Sequence, residues 1–390
     1  MSSAEVPRGR AFRRPVGAML GSVLGHALAP LLAPLLAALL SCAAALSAAQ
    51  SPAASDADHA TTQPSPVPPL RPPPSVDIAL VLPLDVPAYA RAADAISAGF
   101  TAAAARERTT YVVIPHGEDG ILRAFEEARK AGAKVVVGPL LRDDLRVIAQ
   151  SSIELPWTLA LNQSDETAAG PPRLYTFALT VESDARTIAR RMRDDAAQNV
   201  AIVAGESPQM KRIAGAFATA WLLEGGSAPA SYRFDPAPEA LTVLKRDLAR
   251  KVPDAALLAV DGSNAALAKP FLGTVSAFAS GLMFDQKDFA TSRDLDGLTI
   301  VEIPWLVAPG AAEYAGFPRR DYGSAALERL YALGLDAFRI AQAMVDGPPE
   351  KFVLEGATGH VMLAEGRQFV REGRLAVYRA GQLVPLEGAR

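Results

Sequence analysis

The stretch Val76-Asp77-Ile78-Ala79-Leu80-Val81-Leu82-Pro83-Leu84 decides the fold of this chain. Its apolar residues are almost continuous, which is typical of a strand that is buried on both faces of a parallel sheet. A helical pattern follows from Ala90 to Arg106, and a second strand is predicted from Thr110 to Ile114. The alternation continues with a helix at 121–131, a strand at 134–138, a helix at 142–150 and a strand at 157–162.

A second series of the same kind begins at Ser183. It predicts helices at 184–197, 210–223, 238–250 and 322–344, and strands at 200–203, 232–234, 255–260, 275–284 and 298–303. Strands that alternate with amphipathic helices form parallel sheets with helices on both faces. The two series therefore predict an α/β fold of two lobes, each a parallel sheet flanked by helices. Ligands of such folds bind at the carboxyl ends of the strands, here in the cleft between the lobes.

Composition narrows the classes of function. The 390 residues include 39 Lys and Arg against 42 Asp and Glu, a net charge of -3, which argues against a nucleic-acid-binding protein. Half of the residues (50%) are hydrophobic, which is enough for a sizeable core. The single cysteine excludes an intramolecular disulfide framework and every cysteine-rich zinc site.

The N-terminal segment has the layout of a bacterial secretory signal. Its basic start contains Arg8, Arg10, Arg13 and Arg14. An apolar run from Val16 ends in Leu39-Leu40-Ser41-Cys42, which resembles a lipobox. We therefore expect residues 1–41 to be a lipoprotein signal peptide and Cys42 to be lipidated, which anchors the chain to a membrane. The alternatives are a retained anchor helix and cleavage by ordinary signal peptidase after Ala49.

A tether is predicted between the lipidated cysteine and the folded body. Residues 42–75 are rich in Ala, Ser, Thr and Pro, and prolines dominate from Pro64 to Pro74. Such a segment cannot bury a core, so we expect it to be disordered and to stiffen towards its end.

The sequence contains no catalytic or metal-binding constellation that we could identify. His116 and His360 are far apart, and we expect both in loops or on the surface. Asp143 and Asp144 open a helix, where carboxylates stabilise the N-terminus, and Asp336 falls on the predicted solvent face of the last helix. The G-x-S-x-G, P-loop and G-x-G-x-x-G motifs are missing. We therefore predict a protein that is not an enzyme and that needs no cofactor or metal.

Two segments resemble the type I periplasmic-binding-protein superfamily. Gly138-Pro139-Leu140-Leu141 ends the third strand, where that superfamily often has Gly-Pro followed by a ligand-binding serine. Residues 175–180 replace the Phe-Arg-Thr that is often found where the chain enters the second lobe. The resemblance implies a type I periplasmic-binding-protein-like fold, and both departures argue against a nutrient receptor. The candidate residues of the cleft and hinge are Leu141, Asn162, Thr180 and Glu182.

Several segments together resemble a narrower family. From about Val76 to Pro385 they occur in the order of the LppC/LpoA lipoproteins, and the lipobox adds to the likeness. The segments are FALTVESDAR at 177–186, IPWLV at 303–307, LYALGLDAFR at 330–339, GATG at 356–359, Val370-Arg371 and GQLVP at 381–385.

This resemblance implies a lipoprotein on the periplasmic face of the outer membrane. Its partner would be a bifunctional (class A) penicillin-binding protein, which it would bind and activate, so that it regulates peptidoglycan synthesis and cell shape. Fuller members of the family carry a helical-repeat domain where this chain has the tether. The alternative function is a solute-binding receptor of a transporter, with an amino acid or a similar small molecule in the cleft.

The superfamily layout also implies where the lobes divide. Lobe one is expected at 76–182 and 275–347, and lobe two at 183–274 and 348–390. Hinges would lie near residues 182, 274 and 347.

Overall fold

The computed structural model of the chain describes residues 76–118, 120–163, 170–285 and 293–386. The predicted signal peptide (1–41), Cys42 and the tether (42–75) lie outside these residues and stay predictions. Within the described ranges, no helix combines the length and the apolar character that a membrane span requires.

The first lobe begins with the alternation that the sequence predicts. Its elements are β1 (Ile78–Leu82), α1 (Ala90–Glu107), β2 (Tyr111–Pro115), α2 (Ile121–Lys130), β3 (Val135–Val137), α3 (Arg142–Gln150), β4 (Trp157–Ala160) and β5 (Leu174–Phe177). All five residues of β1 are fully buried, because β2 and β3 flank the strand and helices cover both faces of the sheet there.

The chain then crosses to the second lobe. The elements there are α4 (Val181–Asp194), β6 (Val200–Ala204), α5 (Pro208–Leu223), β7 (Ala230–Arg233), α6 (Pro238–Arg250), β8 (Ala255–Ala259), α7 (Gly262–Ala268), β9 (Ser276–Ser280) and β10 (Thr299–Glu302). The side chains of Thr180, Ser207 and Asp261 each accept a backbone N–H and so begin α4, α5 and α7.

The remaining chain supplies elements to both lobes. They are α8 (Pro304–Val307), α9 (Ala325–Met344), β11 (Val353–Glu355), β12 (His360–Ala364), β13 (Gln368–Glu372), β14 (Arg374–Arg379) and β15 (Gln382–Pro385). Short 3-10 helices lie at Lys269–Leu272, Gly281–Met283, Arg293–Leu295 and Ala312–Tyr314.

Each lobe is built on one sheet. The first sheet has eight strands in the order β11-β12-β13-β5-β4-β3-β1-β2, and the second has seven in the order β15-β14-β10-β9-β8-β6-β7. Pairing is parallel in the centre of both sheets. It is antiparallel between β11, β12 and β13, and between β10, β14 and β15.

The strand pairing corrects the expected division into lobes. Strands β9 and β10 lie in 275–347, which we expected in lobe one, but they join the second sheet next to β8. Strands β11 to β13 lie in 348–390, which we expected in lobe two, but they extend the first sheet beyond β5. The chain therefore crosses between lobes after β5, after β10 and between β13 and β14. Hydrophobic pattern predicts a strand but does not say which sheet it joins.

Two glycines let the helices α1 and α9 pack closely on the first sheet. A Cβ atom on Gly334 of α9 would overlap the carbonyl oxygen of Ile96, and one on Gly99 of α1 would overlap that of Tyr331. Phe100 and Phe338 meet edge to face beside this contact, with ring centroids 5.3 Å apart. The close approach anchors α9, which carries one wall of the site described below.

Candidate functional site

A cleft of about 790 Å³ opens where the two lobes meet. The residues that line it come from the loops after β4 and β5, from the 3-10 helix after β9 and from the first two turns of α3, α4, α5 and α9. The loops after β4, β5 and β9 lie at the carboxyl ends of the parallel strands. They are Arg142, Asn162, Gln163, Ala178, Leu179, Thr180, Val181, Glu182, Pro208, Gln209, Arg212, Leu282, Ala326, Arg329 and Leu330.

Three of the four candidate residues lie in this cleft. Asn162, Thr180 and Glu182 are among its lining residues, whereas Leu141 is not and instead precedes the first turn of α3. The next residue, Arg142, takes that place in the cleft. Whether any of the four binds a ligand stays a prediction.

Asn162 organises the wall formed by lobe one. Its Nδ2 atom donates to the carbonyl oxygen of Leu140 at 2.9 Å, and its Oδ1 atom accepts from the backbone N–H of Gln163 at 2.9 Å. Arg142 Nε also approaches that oxygen, at 3.4 Å. The amide is therefore occupied in joining the loops after β3 and β4.

The wall formed by lobe two is held by the start of α4. Thr180 Oγ1 accepts from the backbone N–H of Ser183 at 3.3 Å and donates to the Ser183 hydroxyl at 3.0 Å. Arg212 of α5 donates through Nε to Oε1 of Glu182 at 2.7 Å. Both partners of this ion pair are about one-third exposed, so a ligand in the cleft can reach them.

Arg329 forms a buried ion pair at the base of the cleft. It is 2% exposed and its partner Glu302 is 1% exposed. The guanidinium donates to both carboxylate oxygens, through Nη2 at 2.6 Å and Nε at 3.0 Å, and Nη2 also donates to the carbonyl oxygens of Gly281 and Phe284. Arg329 lies in lobe one and Glu302 in lobe two, so the pair joins the lobes.

A second buried ion pair joins the lobes nearby. Arg371 Nη2, on β13, donates to Asp184 Oδ1, on α4, at 2.7 Å, and both side chains are 1% exposed. The Ser280 hydroxyl donates to the other oxygen of Asp184. Burial raises the pKa of the Asp184 carboxyl, and Arg371 and Ser280 oppose that rise by stabilising the carboxylate. No local pattern in the sequence predicts either pair.

His116 and Asp144 lie where the sequence predicts, in the loop after β2 and in the first turn of α3, but both are buried. The exposed fraction of His116 is 3%, and its Nε2 atom lies 3.7 Å from Oδ2 of Asp144. Asp144 therefore faces the lobe interior, where burial raises its pKa. His360 is half-buried and pairs with Glu355 at 2.7 Å.

Asp336 is also placed differently from the prediction. Its carboxylate is fully buried rather than on the solvent face of α9. It accepts the backbone N–H groups of Ala357 and Thr358 at 2.9 and 2.7 Å, and the Thr358 hydroxyl at 2.7 Å. The family-like segments at 330–339 and 356–359 thus contact each other through this carboxylate.

Metal-binding geometry is absent from the described part of the chain. No group of three or more His, Cys, Asp or Glu side chains there is arranged to hold an ion. The acidic residues nearest the base of the cleft, Glu302 and Asp184, already accept from arginines.

Comparison with known families decides the classification. The model of the LppC lipoprotein family matches residues 49–274 and 244–381. This chain belongs to the LppC family. The predicted resemblance is therefore confirmed over nearly the whole described body.

Curated relatives carry a more specific name. Over 315 residues the chain is 25% identical to "Penicillin-binding protein activator LpoA" of Enterobacter sp. (strain 638), a match that covers 67% of this chain and 42% of the relative. The chain spans about half the length of the curated relatives that it matches.

Solved structures confirm the predicted type I periplasmic-binding-protein-like fold. The LpoA C-domain from Haemophilus influenzae, described as a regulator of PBP1A, superposes with a TM-score of 0.68 at 22% identity, over 79% of this chain and 99% of that one. A protein from Chromobacterium violaceum, described as a branched-chain amino acid ABC transporter, superposes with a TM-score of 0.68 at 30% identity, over 77% of this chain and 99% of that one.

Proposed function

We propose that this LppC-family chain is an envelope lipoprotein that binds and activates a bifunctional (class A) penicillin-binding protein and thereby regulates peptidoglycan synthesis. The observation that carries the proposal is the family match across the folded body, together with curated relatives named as activators of penicillin-binding proteins. The chain acts in this proposal by protein contact and catalyses no reaction of its own.

The proposed location is the periplasmic face of the outer membrane. The lipobox-like Leu39-Leu40-Ser41-Cys42 and the membership of a lipoprotein family support lipidation at Cys42. Residues 42–75 would then connect the lipid to the folded body. Several acyl chains on one cysteine give stable rather than transient anchoring.

Features of the cleft support an activator over an amino-acid receptor. A bound amino acid needs partners for its carboxylate and ammonium groups, because a buried charge without a partner is costly. Where the superfamily often has a ligand-binding serine after Gly-Pro, this chain has Leu140 and Leu141, neither of which lines the cleft, and the Asn162 amide that does line it is occupied by the carbonyl group of Leu140.

A solute receptor is the second candidate, and one observation favours it. The Chromobacterium violaceum protein that is described as a branched-chain amino acid ABC transporter is 30% identical to this chain, and the match covers 99% of that protein. This candidate predicts a ligand that stabilises the fold: a ligand at 100 times its Kd adds about 2.7 kcal/mol to the free energy of unfolding.

The test adds the purified mature chain to the class A penicillin-binding protein of the same cell and follows glycan polymerisation and peptide cross-linking. We expect a several-fold increase in rate, and no increase with the same chain after heat denaturation. The activator proposal fails if the native chain neither binds nor stimulates any class A synthase of that cell. A rise in melting temperature with an amino acid, in the absence of stimulation, would favour the receptor.

A further inference from the structure

A second cavity, of about 470 Å³, lies at the edge of the first sheet opposite the cleft. Its lining residues lie at the end of α2, just before β3 and β5, at the start of β4 and just after α9, which is the amino end of the parallel strands. The apolar part of its wall consists of Ala133, Leu155, Pro156, Trp157 and Val345. We call it the Trp157 cavity.

The ring of Trp157 is held in place by two neighbours. Cζ of Arg173 lies 5.3 Å from the centroid of the ring, and Tyr175 meets it edge to face, with centroids 6.3 Å apart. Trp157 is partly exposed, whereas the other two tryptophans of the chain, Trp221 and Trp305, are fully buried. Within the described ranges, the indole N–H of Trp157 has no acceptor. The cavity therefore presents a fixed aromatic surface and a hydrogen-bond donor to an occupant.

The described body begins at Val76, beside this cavity. The backbone N–H of Val76 donates to the carbonyl oxygen of Ala131 at 3.4 Å, and Asp77 forms an ion pair with Lys134 at 2.9 Å. Lys134 lines the cavity, and its carbonyl oxygen accepts from the backbone N–H of Trp157 at 3.1 Å. The segment that precedes Val76 is therefore joined to the fold next to the cavity.

This segment, residues 70–75, has the sequence Leu-Arg-Pro-Pro-Pro-Ser and lies outside the described residues. Six residues in the polyproline II conformation, which consecutive prolines favour, extend about 19 Å. Strand β4, with Trp157 at its start, lies two strand spacings, about 10 Å, from β1. Ser75 and Val76 have no pyrrolidine ring, so the chain can turn towards β4 there. The segment is thus long enough to cross the cavity.

The segment and the cavity are chemically complementary. A polyproline II chain makes no internal hydrogen bonds and proline has no N–H, so the segment offers carbonyl acceptors and few donors. Aromatic-lined grooves bind such chains by packing on the proline rings, and an indole N–H supplies a donor for a carbonyl group. The one charge of the segment is Arg71, and the cavity contains Asp346, a carboxylate without an ion-pair partner among the described residues.

We propose that residues 70–75 dock in the Trp157 cavity of the same chain. The proline rings pack on Trp157, the indole N–H donates to a carbonyl group of the segment, and Arg71 lies beside Asp346. Attachment through Val76 favours this occupant over a separate chain, because a short linker gives it an effective concentration in the millimolar range. The tether then leaves lobe one at the edge opposite the cleft and does not cover the cleft loops. This inference does not depend on the proposed function.

The first experiment measures acrylamide quenching of tryptophan fluorescence in the full mature chain. Because Trp221 and Trp305 are fully buried, the quenching reports on Trp157. A variant that combines Pro72→Gly, Pro73→Gly and Pro74→Gly loses the rings and the stiffness of the segment, so its quenching constant should rise about twofold or more.

The matched control carries three proline-to-glycine substitutions elsewhere in the predicted tether, Pro64→Gly, Pro66→Gly and Pro68→Gly. Its quenching constant should equal that of the natural chain, and circular dichroism should show both variants folded. The docking proposal is overturned if the variant at 72–74 is quenched no more than the natural chain, or if the control is quenched as strongly as that variant.

A second experiment supplies the segment as a separate peptide, Leu-Arg-Pro-Pro-Pro-Ser with blocked ends. At about 10 mM, above the effective concentration within the chain, it should restore the protection of Trp157 in the variant at 72–74 and leave the natural chain unchanged. A peptide with glycine in place of the three prolines should protect neither chain.

Two results of the second experiment would overturn the proposal. One is failure of the proline peptide to protect the variant. The other is equal protection of both chains, which would show that the cavity is empty in the natural chain and would favour a proline-rich segment of another protein as its occupant. Neither experiment contains a synthase, so their failure leaves the proposed function standing, and failure of the stimulation assay leaves the docking standing.

Discussion

Nη2 of Arg329, on helix α9 of the first lobe, lies 2.6 Å from Oε2 of Glu302, at the end of strand β10 in the second lobe. Removing one member of a buried pair leaves the other charge without a partner, so we expect Glu302→Gln to lower the free energy of unfolding by about 3–5 kcal/mol. Urea denaturation followed by tryptophan fluorescence measures the loss.

The control for this substitution is an ion pair of the same chemistry at the surface. Arg123 and Glu127 lie 2.9 Å apart on α2, with side chains 83% and 44% exposed. Glu127→Gln should cost less than about 0.5 kcal/mol. Equal losses in the two variants would show that the Glu302 pair does not carry the stability assigned to it.

Substitution of a helix glycine by alanine should change the free energy of unfolding in opposite directions at two sites. Gly334→Ala would push a Cβ atom into the backbone of Ile96, and we expect a loss of about 2 kcal/mol or more. A Cβ atom on Gly215 in α5 would have no neighbouring atom within 4 Å, so Gly215→Ala should gain about 0.5–1 kcal/mol from helix propensity. Thermal unfolding of both variants checks the two signs, and a stable Gly334→Ala chain would contradict the close approach of α1 and α9.

Asp336 is predicted to hold the loop before β12. Asp336→Asn keeps the shape but replaces one carboxylate oxygen by an NH2 donor, so the Ala357 N–H and the two Thr358 donors can no longer all be accepted, and we expect a cost of about 3 kcal/mol. Thr358→Val removes the hydroxyl alone and should cost about 1 kcal/mol. Denaturant titration ranks the two losses. The opposite ranking would mean that the backbone bonds to Asp336 contribute little.

Acid sensitivity should depend on Asp254. The backbone N–H groups of Asn199 and Gln198 each donate to its Oδ2 atom at 2.8 Å, which lowers the pKa of the carboxyl below its usual 3.8. A carboxyl whose pKa is lower in the folded than in the unfolded state stabilises the folded protein at pH values above its unfolded-state pKa. This contribution is lost as the pH falls below about 3.8.

The matching variant is Asp254→Asn, with melting temperatures measured between pH 6 and pH 3. At pH 6 the natural chain should have a higher melting temperature than the variant. The difference between the two melting temperatures should shrink as the pH approaches 3. A difference that stays constant across this range would exclude the proposed titration of Asp254.

The elements of the fold could be predicted from the sequence because their signals are local. The apolar run at Ile78–Leu82 predicts a buried strand, and the structure buries every one of its residues. Pairings between distant residues leave no such signal: Arg371 and Asp184 are 187 positions apart. The lobe membership of β9 to β13 was predicted wrongly for the same reason, since strand order depends on packing across the whole chain.

Local pattern also does not predict which polar residues are buried. Asp336 and His116 are of residue types that are common at exposed positions, but each has a partner that the fold supplies from elsewhere, the 357–358 backbone in one case and Asp144 in the other. Three candidate residues, Asn162, Thr180 and Glu182, line the cleft because they follow the ends of β4 and β5, and their role there stays a prediction.

The strands β11 to β13 complete the first sheet, and β14 and β15 complete the second. Neither lobe is therefore a contiguous gene segment that could be cut out and expressed alone. The C-terminal strands are synthesised last, so neither lobe can complete its sheet before the end of translation. A premature stop codon between α9 and β13 would remove edge strands from both sheets. Such a mutation would therefore prevent both lobes from folding, not one of them.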